Sequence, residues 1–256
     1  MAAFALTFFL RWDMLIKNFT QDVLSNKMLF KNFKANFTPY VFAMFAIIGG
    51  FLEAFTFVLH GGVFCNAQTG NVVMLVIRMV EGDFSSGLRY LYSIIAYIIG
   101  IIISTVIPHY LKKFNFSMAV TILEILVFTA IAFIPPSASD WFTYVTVAFV
   151  CSVQYNTFTK LNGVPLATTF CTNNIRQVVI HFYNGITQKS REEYFKSATY
   201  IFIIIFFAAG AAIGAFTANA IGNYCILICS AFLVPVLALF IVDVGKSFRR
   251  LKPSDD

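Results

Sequence analysis

The chain has 256 residues, 59% of them hydrophobic and 12% charged, with a mean hydropathy of +0.79. Soluble domains run nearer half apolar and a quarter charged, and a globule of this length has too little interior to hide so much apolar surface, 31 phenylalanines included. That excludes a soluble domain, and the net charge of +6 does not restore nucleic acid as a partner, because the basic residues crowd the two ends of the chain.

Arg11, Lys17, Lys27, Lys31 and Lys34 precede the first apolar segment, and Lys246, Arg249, Arg250 and Lys252 follow the last, as in cytoplasmic flanks of membrane spans. Residues 1–37 read as a cytoplasmic, interfacial leader: Ala2 to Leu10 is apolar but short, and lacks the preceding basic residue of a secretory signal. The sequons at Asn18 and Asn36 carry no meaning on that side. Eight apolar segments then follow at 39–59, 63–81, 88–111, 117–134, 141–160, 164–184, 195–218 and 224–243. A span needs roughly 20 apolar residues, so nearly all of the chain is membrane-embedded. Ser197 to Val242 carries no Asp, Glu, Lys or Arg and is broken only by Asn219 to Asn223, which predicts two spans joined by a tight hairpin. Gly210 and Gly214 form a GxxxG motif where another helix packs closely.

The second and sixth segments are too polar for lipid. They open with Gly61-Gly-Val-Phe-Cys-Asn-Ala-Gln-Thr-Gly-Asn71 and Val164-Pro-Leu-Ala-Thr-Thr-Phe-Cys-Thr-Asn-Asn-Ile-Arg176. A shift of 103 residues superposes them, with Phe55 on Phe158, Thr56 on Thr159, Thr69 on Thr172, Asn71 on Asn174, Val76 on Val179, Ile77 on Ile180 and Gly82 on Gly185. Each half repeats the same order, a long span, a short polar segment and two long spans, which is the mark of a duplicated transporter-type unit. The expected organisation is a leader (1–37), membrane repeat 1 (38–140), membrane repeat 2 (141–245) and a cytoplasmic basic tail (246–256).

The strings GGFLEAFTFVLHGGVFCNAQTGN and QYNTFTKLNGVPLATTFCTNNIRQ resemble the two signature regions of the YoaK-like family of bacterial multi-pass membrane proteins, with similarity from about residue 39 to 243. The chain departs from that pattern in having Glu53 for the usual Asp, Thr159 for a basic residue, and Thr172-Asn173-Asn174 for Thr-Gly-Asn. The resemblance implies a membrane protein of about six spans and little about function.

Two topologies compete. If segments two and six re-enter, each half crosses three times, the halves are inverted, Arg78 and Arg89 lie outside, and Arg176 lies within the membrane. If both cross, there are eight spans in parallel halves, with Lys112 and Lys113 outside and the uncharged Pro135 to Ser139 loop inside. The charge pattern favours the first, and both models put the termini in the cytoplasm. Residues 61–68, extended, reach at most about 26 Å, and half the hydrocarbon core is about 15 Å, so a re-entrant arm can reach the midplane. The expected fold is an all-α integral membrane protein of six transmembrane helices plus two polar re-entrant half-helices, in a two-fold inverted repeat.

In that arrangement Gly70 lets the backbone turn, and Thr69, Thr172 or Asn173 cap half-helices whose N-termini meet at mid-depth, a natural site for an anion or polar group. Asn66, Gln68, Thr168 and Thr169 would line the arms, and Gly70 to Asn71 and Asn173 to Asn174 would present donors to the solute; alternatively, Thr69, Asn71, Thr172, Asn173 and Asn174 only satisfy each other's broken backbone bonds. Glu53, in the first span, needs a partner, and Arg176 is the candidate, as a structural pair or in a coupling role. Gln154 and Asn156 hold the equivalent place in the fifth segment. Glu124 is a lone mid-span acid, either protonated or facing an oligomer partner. His60 and His181 flank the polar segments as snorkelling or capping groups. Cys65, Cys151, Cys171, Cys225 and Cys229 read as small hydrophobes. No HExxH, paired-acid, GxSxG or P-loop pattern occurs. The sequence thus predicts no enzyme, cofactor or metal. The expected function is a secondary transporter or channel for a small polar or anionic solute in the cell membrane, or alternatively a non-transporting scaffold or partner subunit. The expected partners are the lipid bilayer and that solute, with a homo-oligomer left open.

Overall fold

The computed structural model describes residues 39–111, 115–135, 140–161, 164–169 and 171–251. The expected leader, the last residues of the basic tail and most of the Pro135 to Ser139 loop lie outside them. The helices are α1 (Pro39–Leu59), α2 (Gln68–Val80), α3 (Phe84–Tyr110), α4 (Phe116–Ala132), α5 (Asp140–Thr157), α6 (Thr172–Gln188), α7 (Arg191–Ile221) and α8 (Leu227–Leu251). A 3-10 turn, Gly222–Ile226, links α7 to α8, and a two-residue antiparallel pairing, Lys160–Leu161 with Val164–Pro165, follows α5. The first basic residues of the predicted tail therefore continue α8 as helix.

Local chemistry sets the helix starts. Pro39 opens α1 with φ already helical and no amide to leave unbonded. Asp83 accepts the Ser86 N–H (3.1 Å) at the start of α3, Asn115 the Met118 N–H (3.1 Å) before α4, and Ser190 the Glu193 N–H (3.4 Å) before α7. By length and apolarity, three stretches qualify as membrane spans: Pro39–Leu59, Phe84–Tyr110, and Arg191–Asp243, which contains α7, the 3-10 turn and α8. Gln68–Val80 and Phe116–Ala132 are apolar but shorter. The molecule is an all-helical protein with the helices of a membrane protein.

Close crossings organise the bundle. Gly50 of α1 lies against the Phe207 carbonyl of α7, and Gly210 and Gly214 of α7 lie against the Ile47 and Phe51 carbonyls of α1. The GxxxG motif therefore packs on α1, and the pairing of Ile47 with Gly210 and Phe51 with Gly214 makes α1 and α7 parallel. Gly100 of α3 likewise meets Ser152 and the Phe149 carbonyl of α5, while Asn156 donates to Ser104 and Thr105 of α3 at 3.0 Å each, so α3 and α5 are parallel too. The other principal contacts are α2 with α3, α6 with α7 and α4 with α8. Exchanging α1–α4 for α5–α8 leaves this set of pairings unchanged.

The ends of the bundle show where the polar segments go. At one end His60, just past α1, meets Asp140 at the start of α5 (3.0 Å), and Asn223 donates to the Ile134 carbonyl (3.3 Å). Gly61 lies beside Arg89 near the start of α3, and Val63, Tyr90 and Tyr144 pack together. The chain thus leaves α1 and enters α3 at the same end, so the segment between them returns rather than traverses. At the other end Phe158 stacks between Phe45 of α1 and Phe240 of α8, with ring centroids 4.2 and 5.9 Å away, and the Tyr200 hydroxyl of α7 donates to the Pro165 carbonyl (2.7 Å). The second polar segment therefore returns to this end, which also holds the start of α1 and the end of α8. In the eight-crossing arrangement His60 and Asp140 would lie on opposite sides; the structure puts them in contact.

Candidate functional site

Arm 1 runs from Gly61 to Ala67. Gly61 and Gly62 have φ of +74° and +69°, the left-handed region that lets the chain fold back on α1. The arm is then fixed by side chains from three helices. Asn71, fully buried in the first turn of α2, closes a two-point clamp on the backbone of one residue: its Oδ1 accepts the Phe64 N–H (3.0 Å) and its Nδ2 donates to the Phe64 carbonyl (2.6 Å). Ser93 of α3 donates to the same carbonyl (3.2 Å) and Gln68 to the Cys65 carbonyl (2.9 Å). From α1, Glu53 accepts the Asn66 N–H (2.8 Å), the Ala67 N–H (3.0 Å) and the Cys65 thiol (3.2 Å).

Arm 2, leading into α6, repeats the clamp. Asn174 Oδ1 accepts the Ala167 N–H (3.4 Å) and Nδ2 donates to the Ala167 carbonyl (2.6 Å). The 103-residue shift carries Asn71 and Phe64 onto Asn174 and Ala167. Both arms converge on Gly49 of α1. Asn66 Nδ2 donates to the Gly49 carbonyl (3.3 Å), and a Cβ on Gly49 would stand 2.8 Å from the Thr168 carbonyl and 3.1 Å from Thr169 Cα. Gly49 is ten residues from the end of α1, about 15 Å along a helix axis, which is half a hydrocarbon core.

Several expectations change here. The caps of α2 and α6 are Ala67 and Cys171, neither with a side-chain cap bond, so Thr69, Thr172 and Asn173 are not N-caps; all three are exposed. Local capping is superseded in α2 because Glu53 already takes the Asn66 and Ala67 amides. Gly70 is helical rather than a turn, and a Cβ there would meet the Phe64 ring at 2.9 Å. Glu53 makes no ion pair with Arg176 among the described residues; its carboxyl oxygens take two amides and a thiol from arm 1, and Arg176 is exposed one turn into α6. Asn156 bonds α3 and does not join Glu53. The predicted residues missed Ser93 and Gly49, for which the only signal was small size inside an apolar helix.

What remains without a partner is specific. Asn66 Oδ1, both amide atoms of Gln154 and the hydroxyls of Thr168 and Thr169 are enclosed and make no hydrogen bond among the described residues. Asn66, Thr168 and Thr169 lie where the arms meet, and Gln154 lies three residues from Cys151 on α5. Enclosed polar atoms almost always find a partner, so this cluster can hold a polar guest. Its Asn66, Thr168 and Thr169 lie in the arms that lead into two helix N-termini without side-chain caps, and Arg176 is exposed one turn into the second of them, α6.

His181 and Glu193 lock α6 to α7. His181 Nδ1 lies 2.7 Å from Glu193 Oε2, Lys196 Nζ lies 2.8 Å from Glu193 Oε1, and the His181 ring stacks on Tyr200. Glu193→Gln removes the charged partner that His181 and Lys196 share, so we expect the purified variant to melt below the parent; an unchanged melting temperature would count against the lock.

These observations define a class: an all-helical protein with helices long and apolar enough to span a membrane and two clamped polar arms meeting at the middle of α1. The chain belongs to the family described as a protein of unknown function, DUF1275, which matches residues 41–240. The YoaK-like resemblance is consistent with that membership. No curated protein and no solved structure matches the chain.

Proposed function

We propose that the protein is a six-span secondary transporter or channel of the cell membrane for a small anionic or polar solute, bound where the two arms meet. Its halves, 38–140 and 141–245, form an inverted repeat with both termini cytoplasmic, and its chemistry is binding and passage rather than catalysis. The inverted repeat is supported by the paired Asn clamps, the parallel α1/α7 and α3/α5 crossings, and the contact of the end of α1 with the start of its equivalent, α5. The orientation is supported by Lys160, Lys189, Arg191 and Lys196 at one end against Arg78 and Arg89 at the other.

The observation that carries the proposal is the enclosed, unpartnered set Asn66, Gln154, Thr168 and Thr169. The charge preference follows from the open side of the site. Thr69, Thr172, Asn173 and Arg176 are exposed at the depth of the half-helix starts, where lipid contact is costly for a guanidinium, so this surface is read as a wet vestibule. A cation beside two helix N-termini favours an anion.

The test is thermal stabilisation of the purified protein against chloride, nitrate, phosphate and carboxylate anions, followed by uptake into proteoliposomes. A ligand at about 100 times its Kd adds about 2.7 kcal/mol. Gln154→Leu, Thr169→Val and Arg176→Gln should each weaken that response by about tenfold in apparent affinity, equivalent to about 1.4 kcal/mol, with the ligand-free melting temperature near the parent's. Parent-like responses in all three would remove the site. A second reading, a non-transporting scaffold, is favoured by the full pairing of Asn71, Asn174, Glu53 and Gln68; it predicts no anion response and no uptake in the parent.

A further inference from the structure

Glu124 stands apart from the arms. It is the only charged residue of α4, eight residues from either end of the helix, and its side chain is fully enclosed. Neither carboxyl oxygen has a hydrogen-bond partner among the described residues. The other acids held inside the bundle are bonded, Glu53 by two amides and a thiol and Glu193 by His181 and Lys196. Complete enclosure also excludes the oligomer-facing role that the sequence left open.

The surroundings offer no counter-charge. α4 packs against α8, the 3-10 turn and α5. The titratable group these contribute near Glu124 is the buried thiol of Cys229 in α8, itself beside the buried thiols Cys225 of the 3-10 turn and Cys151 of α5; no Lys, Arg or His among the described residues acts on the carboxyl. An ionised carboxylate enclosed without a cation or donor is prohibitively costly, so the enclosed form carries its proton. The helix also offers that proton a direction. Ser117, Thr121 and Glu124 follow at i, i+4 and i+7 on one face, and the buried Thr121 hydroxyl donates to the Ser117 carbonyl (3.0 Å). In the other direction the same face continues as Phe128 and Ile131, both enclosed and apolar. On this face a hydroxyl stripe thus runs from the middle of α4 to its start, whereas on the other side of Glu124 the Thr129 and Ser230 hydroxyls are committed to each other (3.3 Å) and Ser230 to the Ile125 carbonyl (3.5 Å).

We propose that Glu124 is an exchangeable proton-binding site, loaded from the start of α4 along Thr121 and Ser117. Where the transport reading above holds, on which this second step rests, its proton is the coupling ion.

Two measurements test this separately. Dicyclohexylcarbodiimide adds to a protonated carboxyl and not to a carboxylate, so reconstituted protein is treated across a pH series and the modified peptide located by mass spectrometry. We expect an adduct on Glu124 that falls by about tenfold from mildly acidic to mildly alkaline pH, and forms more slowly in Thr121→Val, a variant that keeps the acid and its fold. An unmodified Glu124, or modification independent of pH, overturns the site. For coupling, proteoliposomes loaded with a pH-sensitive dye are given a chloride, phosphate or succinate gradient. Proton movement should accompany the anion in the parent and be lost in Glu124→Gln, while anion-induced thermal stabilisation stays at the parent's level. Anion and proton moving together in Glu124→Gln overturns the coupling role and leaves the transport reading standing. No anion movement in the parent defeats the transport reading, and the carbodiimide series still decides the proton site.

Discussion

Asn71→Leu is expected to unseat arm 1 and lower the stability of the whole bundle by roughly 1–3 kcal/mol, the cost of one buried backbone group left unbonded, since it strands the Phe64 N–H while the Phe64 carbonyl keeps its bond from Ser93. Asn174→Leu should do the same to arm 2 through Ala167. The substitution keeps approximate bulk, so lost packing is not the cause. Asn71→Asp, which retains the acceptor and loses the donor, should fall between the parent and the leucine variant. Because the clamps lie on separate arms and share no partner, the double variant should be close to additive. Thermal unfolding in detergent, with limited proteolysis across Gly61–Ala67, measures the effect. Parent-like melting in Asn71→Leu would mean that the clamp is incidental. The sequence pointed to Asn71 and Asn174 as solute-facing donors, but their amides are already committed to their own arms, so loss of uptake in these variants would report folding rather than binding.

Gly210→Ala should be among the most damaging single-methyl changes in the described residues, with Gly50→Ala at the same crossing. A Cβ on Gly210 falls on the Ile47 carbonyl and within 2.7 Å of Ile47 Cα, and a backbone atom cannot rotate away. The α1 and α7 axes must then separate, and because arm 1 hangs from Glu53 and both arms rest on Gly49, the separation reaches the candidate site. Overpacking of a core typically costs about 1–3 kcal/mol and more where the obstacle is rigid, so about 3 kcal/mol or more is expected here. Gly87→Ala provides the contrast. Its Cβ would meet the terminal Met79 methyl at 2.9 Å, a flexible chain end that can swing aside, and the change should be nearly silent. Melting temperature and monodispersity of the two purified variants decide the matter; equal behaviour would mean that the crossing is looser than its glycines indicate.

The sequence by itself determined the class and the outline. Apolar runs of span length, separated by polar breaks, fix where helices must lie, because a chain in lipid can satisfy its backbone only by internal hydrogen bonds. Most observed helix ends follow the predicted segments to within about five residues, α3 starting at Phe84 where 88 was expected; the exceptions are the start of α6, at Thr172 rather than 164, and the end of α8, at Leu251 rather than 243. The 103-residue shift singled out Asn71 and Asn174 before any contact was known, and the GxxxG motif announced a close crossing. Tertiary structure decided the partners. Glu53 and Arg176 are the obvious opposite charges in a list of residues, yet a carboxylate at depth is satisfied as well by main-chain amides, and the returning arm delivers two of them and a thiol. Thr69 and Thr172 are good caps by type, but Glu53 takes the amides ahead of α2, and both threonines are left on the outer surface. Whether the polar segments cross or return also depended on contacts between residues far apart in the chain, His60 with Asp140 and Pro165 with Tyr200. Periodicity and composition describe each helix against its surroundings; which group meets which is set by the order in which those helices pack, and that is what brings Asn66, Thr168 and Thr169 of the two arms together at Gly49.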